Sequence, residues 1–140
     1  MSSQVRFACL QAQEATIRLR GEPLPETMEQ LAREGRNAGE EPETLSDAQA
    51  RIGEALSLLG NLESDALDAG ADRTTTTEIP GGMIFDMTGE QYARDWALAQ
   101  FYFHLTTAYA IPRSHGIELG KADYVPHRFA YLRPGSMPQS

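Results

Sequence analysis

Residues 88–113 read TGEQYARDWALAQFYFHLTTAYAIPR, and this stretch decides the fold. Thr88 with Gln91 three residues later is a capping-box start, in which each side chain satisfies a backbone N–H left free at the start of a helix. Apolar residues then recur at helical spacing on two lines. Tyr92, Trp96, Ala99 and Phe103 form one, and Ala97, Phe101, His104, Ala108 and Ile111 form the other. Two apolar lines predict a helix enclosed on more than one side, with His104 largely buried. Pro112 lacks the N–H a helix needs and crowds the preceding turn, so the element is expected to end or bend there. At 1.5 Å per residue it spans about 35 Å.

Upstream, residues 4–20 read as a first helix. Val5, Ala8, Ala12, Ala15 and Leu19 form its stripe, with Phe7, Leu10 and Ile17 beside it. Gly21 is its stop, and Pro23 and Pro25 confirm the break. Residues 27–34 suit a short helix with a weak apolar edge at Met28, Leu31 and Ala32, and residues 35–42 read as a mobile loop. A third helix runs from Thr44 or Ser46 to Leu62, with Leu45, Ala48, Ile52, Ala55, Leu56, Leu59 and Leu62 as its stripe. Residues 61–72 form an acidic connector whose weak point is Gly70. The period then changes. Thr74 to Ile79 is rich in β-branched residues, Pro80-Gly81-Gly82 is a turn, and Met83 to Met87 alternates, which predicts a β-hairpin leaning on the helices. Without a following lysine or helix start at the required spacing, the glycines make a turn rather than a phosphate loop. The tail beyond Leu132 is expected to be poorly ordered, giving one domain over residues 1–132 and a disordered end over 133–140.

The stretch from Thr77 to Tyr124 resembles the domain-of-unknown-function family DUF1993. The residues that carry the resemblance are Pro80-Gly81-Gly82, Thr88-Gly89-Glu90-Gln91-Tyr92, the run from Phe101 to Tyr109, and Gly116-Ile117-Glu118-Leu119-Gly120-Lys121-Ala122-Asp123-Tyr124. Residues 4–21 and 45–62 are more loosely similar to that family's second and third helices. The resemblance implies a DinB/YfiT-like up-and-down bundle with the aromatic helix as its last member, a group in which several proteins hold metal on three histidines. This chain departs from the pattern in four places. The family's first helix has no counterpart, Pro112 replaces an aliphatic residue, the connector over 21–44 is longer, and Leu10 and Gln13 stand where polar or charged side chains are expected.

The chemistry on offer is thin. His104 is the titratable group set by spacing among buried neighbours, but a metal would need two or three partners. His115 lies beyond Pro112, His127 sits in the tail, and no Glu-x-x-His occurs. Asp95 is two and a half turns from His104 and faces another side. Tyr92, Tyr102 and Tyr109, with Gln100, His104 and Thr107, could line a polar ligand-binding pocket, or serve only as a structural network. Thr106 and Thr107 are placed to bond back to carbonyls one turn earlier. Cys9 is the sole cysteine and reads as a small core residue. No nucleophile elbow surrounds any serine.

The chain has 140 residues, 12 Lys and Arg against 20 Asp and Glu, and a formal charge of −8, with Lys121 its one lysine. Such a balance repels phosphate backbones, so no nucleic-acid partner is expected. There is no leader-like segment and no long apolar span, so a soluble, cytoplasmic protein without membrane contact is expected. The fold expected is mainly α: an antiparallel up-down bundle of three long helices with a β-hairpin before the last. The leading functional expectation is a non-catalytic or vestigial bundle, without cofactor, that binds a partner or a small apolar ligand as a homo-oligomer. The alternative is a metal-dependent hydrolase or transferase of the DinB-like kind. Oligomerisation is expected because a missing first helix leaves an apolar groove that must close up, pair with a second chain, or be covered by a longer N-terminus.

Overall fold

The computed structural model describes residues 1–40 and 44–136. Helix α1 (Ser2–Arg20) is the hub and packs against α2 (Glu26–Asn37), α3 (Leu45–Gly60) and α5 (Leu98–Ser114). Its last turn closes on Gly21, whose left-handed backbone (φ 72°) lets the N–H groups of residues 21 and 22 reach the Arg18 and Ile17 carbonyls. Helix α2 lies along the Leu10 and Ile17 side of α1, burying Met28 and Leu31 against Cys9, Leu10, Ile17 and Ala55. The expected apolar edge of this segment is therefore enough to dock it. Glu34 fastens it further, 3.6 Å from the wholly buried Arg6 guanidinium and 2.6 Å from Arg51 of α3.

Three boundaries differ from the sequence reading. Gly35 to Asn37, expected as loop, continue α2, because Gly35 lets the helix pass against the Phe7 ring. The rest of that expected loop includes Glu41 and Pro42, which lie outside the described residues. Gly70 is not a weak point: it is buried in a 3-10 turn, Asp68–Gly70, packed on the end of α1. The aromatic helix continues through Pro112 to Ser114, since a proline in the final turn removes a single bond from a ladder about to end. The expectation for the tail falls partly on residues 137–140, which are also outside the described residues, while Pro126–Tyr131 form a 3-10 segment.

The hairpin forms as expected. Strands β1 (Thr74–Ile79) and β2 (Met83–Thr88) pair antiparallel, with Thr76 opposite Asp86 and Ile79 opposite Met83. Gly81 (φ 103°) and Gly82 (φ 79°) supply the turn geometry that other residues resist. Thr75 and Thr77 are buried, Arg18 Nη1 donates to the Thr76 carbonyl at 3.3 Å, and Phe85 meets Trp96 with ring centroids 5.9 Å apart. These contacts hold a two-stranded ribbon that would be marginal alone.

The aromatic helix starts with the expected capping box: Gln91 N–H donates to Thr88 Oγ1 at 3.2 Å and Thr88 N–H to Gln91 Oε1 at 2.9 Å. After one turn, α4 (Gly89–Gln91), it widens into a π-helical turn over Tyr92–Ala97 before α5 begins. A π turn adds one residue and so rotates all later positions by about 100°. The line Tyr92, Trp96, Ala99, Phe103 is therefore broken. Tyr92 is fully buried, whereas Phe103 is 62% exposed. The second line keeps its phase and faces α1. Contrary to expectation, α5 is not enclosed: none of its residues is buried, because α1 covers it along one side.

Candidate functional site

The residues singled out from the sequence are spread along the aromatic helix. His104 is half-buried rather than buried, a correction that follows from the one-sided cover of α5. Its Nδ1–H donates to Gln4 Oε1 at 2.8 Å, Phe7 stacks on its ring at 5.1 Å, and Phe103 approaches edge-on at 5.2 Å. This is how a core-edge histidine is held. Partial burial lowers its pKa from the ordinary histidine value. The unfolded chain therefore takes up the proton at a higher pH than the folded one. The contribution to stability is complete above about 6.5 and is lost as pH falls through the lowered folded value. We expect the wild-type protein to lose stability in that window relative to a His104→Phe variant, read as the difference between their urea midpoints at successive pH values. Parallel curves would contradict it.

Tyr92 sits in a second cluster with Leu19 and Ala97, beside Met87 and Leu67. Its hydroxyl is buried and makes no hydrogen bond, and burial, with Glu14 nearby, raises its pKa strongly. Leaving a buried donor unpaired costs free energy that removing the hydroxyl recovers. Tyr92→Phe should therefore stabilise the fold by about 1 kcal/mol at neutral pH, measured by chemical denaturation. A loss of similar size would mean that the hydroxyl is paired in solution.

Tyr102 is 54% exposed, and its ring meets that of Phe101 edge to face. Thr107 bonds back to the Phe103 carbonyl at 2.7 Å, as expected, while Thr106 instead reaches the Tyr124 hydroxyl at 3.0 Å. Tyr109 turns to the C-terminal segment, and Gln100 is half-buried. Among the described residues no hydrogen bond joins any two of these six side chains. The larger feature is apolar, and a groove of that kind, left open for a second chain or a longer N-terminus, is what the sequence leads one to expect.

That feature is an apolar groove. Helices α3 and α5 both lean on α1 yet scarcely touch each other. Between them runs a trough floored by Val5, Ala8, Cys9 and Ala12 and walled by Ile52, Leu56, Leu59, Phe101, Leu105 and Ala108, with a volume of about 240 Å³. It continues past Ala12, Leu59 and Phe101 into a second hollow of about 350 Å³ toward Leu19, Leu67 and Leu98. On the walls Leu56 is 63% and Leu98 52% exposed. The Cys9 thiol on the floor has its pKa raised by burial, so it stays a neutral thiol there. A three-histidine metal centre does not fit these residues. His104 has Gln4 on Nδ1, His115 and His127 are exposed elsewhere, and no three His, Cys, Asp or Glu side chains converge among the described residues. Nor, among them, is any helix long and apolar enough to cross a membrane.

No curated protein matches the chain. A solved structure is similar to it: a DinB family member from Shewanella denitrificans, with a TM-score of 0.63 and 28% identity, covering 98% of this chain and 68% of that one. The shared fold is thus DinB-like, with α1, α3 and the aromatic helix as its long members. The model of the domain of unknown function DUF1993 matches residues 1–125, so the chain belongs to the DUF1993 family.

Proposed function

We propose that the protein is a non-catalytic binding module of DinB-like fold whose working surface is the groove between α3 and α5, and that a second copy of the chain occupies it. The observation that carries this reading is the apolar trough, with Ile52, Leu56 and Leu59 on one wall and Leu98 on the other, and with the exposed Leu45 earlier on α3 and Tyr102 next to Phe101 on α5. These six side chains are between 37% and 66% exposed. Together they make an exposed apolar patch of the kind that marks an interaction surface. A small ligand would leave most of that patch in water. None of the trough residues carries a charge, so two copies meet there without a buried like-charge pair, despite −8 on each chain.

Light scattering over a concentration series, with a dye that reports exposed apolar surface, tests the reading. The expected result is twice the protomer mass and weak dye binding. A monomer that binds dye would leave the groove to some other partner, and a monomer that binds none would remove the groove from consideration. Near-stoichiometric zinc, nickel or iron in protein purified without a histidine tag would overturn the non-catalytic part.

A further inference from the structure

At the far end of α5 from the hairpin, two cations and two tyrosines converge. Thr106, Tyr109 and Arg113 share one face of α5, at one- and two-turn spacing, and Lys121 and Tyr124 share a face of α6 (Lys121–Tyr124). Together they line a pocket of about 270 Å³. The Tyr109 and Tyr124 rings stand 5.1 Å apart and tilted by 58°, making an aromatic wall. Arg113 lies over the Tyr109 ring at 5.4 Å and its Nη1 donates to the Tyr109 hydroxyl at 3.1 Å. That hydroxyl donates weakly to the Leu119 carbonyl, at 3.5 Å.

What sets this place apart is that two cations without a carboxylate partner meet at an aromatic wall. Elsewhere Arg6, Arg18, Arg20, Arg51 and Arg94 each face a carboxylate within 3.6 Å, whereas Arg33, Arg36, Arg73, Arg128 and Arg133 pair with none among the described residues and line no pocket with a second cation. Among the described residues no carboxylate pairs with Arg113 or with Lys121, the single lysine of an acidic chain. The one acid on α6, Asp123, turns away and accepts from the Gly120 N–H at 2.7 Å. The guanidinium thus spends one hydrogen bond on Tyr109 and keeps the rest of its planar fork, anchored on an aromatic face. A fork of that shape matches a carboxylate or phosphate oxygen pair, and Lys121 adds a point charge.

We propose that this pocket binds a small organic oxyanion, its carboxylate or phosphate head between Arg113 and Lys121 and its planar body against Tyr109 and Tyr124. The volume admits about ten non-hydrogen atoms, below the range of drug-sized ligands. The site is independent of the apolar groove and stands whether or not the chain pairs.

Titration of the full chain with benzoate and with phenyl phosphate, followed by the amide NMR shifts of residues 116–124, tests it. Benzyl alcohol supplies the ring without the charge, and inorganic phosphate the charge without the ring. At least one of the first two should bind more tightly than both controls, and which one does identifies the head group. Arg113→Gln and Lys121→Gln should each weaken it about tenfold or more, with unchanged melting curves. Arg113→Lys should lose most of the affinity, since an ammonium cannot form the fork. The proposal is overturned by benzyl alcohol binding equally well, by folded variants with unaltered affinity, or by no saturable binding up to about 10 mM.

Discussion

Gly70→Ala is expected to cost about 3–5 kcal/mol, enough to unfold much of the protein at room temperature. A Cβ at Gly70 would overlap the Leu19 carbonyl oxygen at the end of α1, and one at Gly89 would overlap the Gly70 carbonyl oxygen. Both obstacles are backbone, so neither swings aside as a side chain could. The three segments are also bonded to one another. Arg73 Nη1 donates to the Leu19 carbonyl at 2.9 Å, and Glu90 N–H donates to the Ala71 carbonyl at 2.9 Å. Separating them to admit a methyl group breaks those bonds and lifts the hairpin and the start of the aromatic helix off α1. Gly53→Ala is the control. It lies inside α3 with open space where its Cβ would be, so it should gain roughly 0.5–1 kcal/mol from helix propensity alone. Urea midpoints of the two variants should move in opposite directions. A Gly70→Ala protein within 1 kcal/mol of wild type would mean the junction is looser than its contacts.

The same junction shows what could be read from the sequence and what could not. The hairpin, the Thr88 capping box and the Gly21 stop were legible because each is a local signal, written in residues that touch within four positions. The close approaches at Gly70 and Gly89 join residues 19, 70 and 89, and nothing in the spacing of a connector glycine announces a neighbour fifty residues away. The π turn was hidden for a different reason. Tyr92 and Phe103 fit one straight helical line, and only the burial of the first and exposure of the second reveal the extra residue. His104 was placed on the right face, but how deeply a face is covered depends on how many helices arrive there. Periodicity reports the phase of a stripe; it does not count the partners. The groove was legible in kind, since an open apolar face was expected from the sequence, while its position between α3 and α5 was not. The pocket at Arg113 and Lys121 joins Tyr109, legible as a pocket candidate, to the segment from Gly116 to Tyr124, legible as a family motif but not as part of a site.

Leu56→Asp should convert the protein from dimer to monomer at micromolar concentration while leaving the protomer's fold intact. Leu56 is 63% exposed on the α3 ridge, so within one protomer the substitution removes little buried surface. Against a second copy the same carboxylate would be forced into an apolar trough with no cation among its lining residues. An unpaired charge buried in that way costs about 3–5 kcal/mol, which weakens pairing by a factor of roughly 100 to 1,000 or more. Leu98→Asp on the opposite wall should act alike, being 52% exposed and facing the same trough. Ile84→Asp separates this from a general effect of added charge, because Ile84 is also 63% exposed but lies on the hairpin, outside the groove. Sedimentation of the three variants beside the wild type should place the first two as monomers and the third as a dimer, all with wild-type helical content. If Leu56→Asp and Leu98→Asp stay paired while Ile84→Asp dissociates, the contact between copies runs through the hairpin and the groove is free for another occupant. If all three remain paired, the ridge takes no part in association.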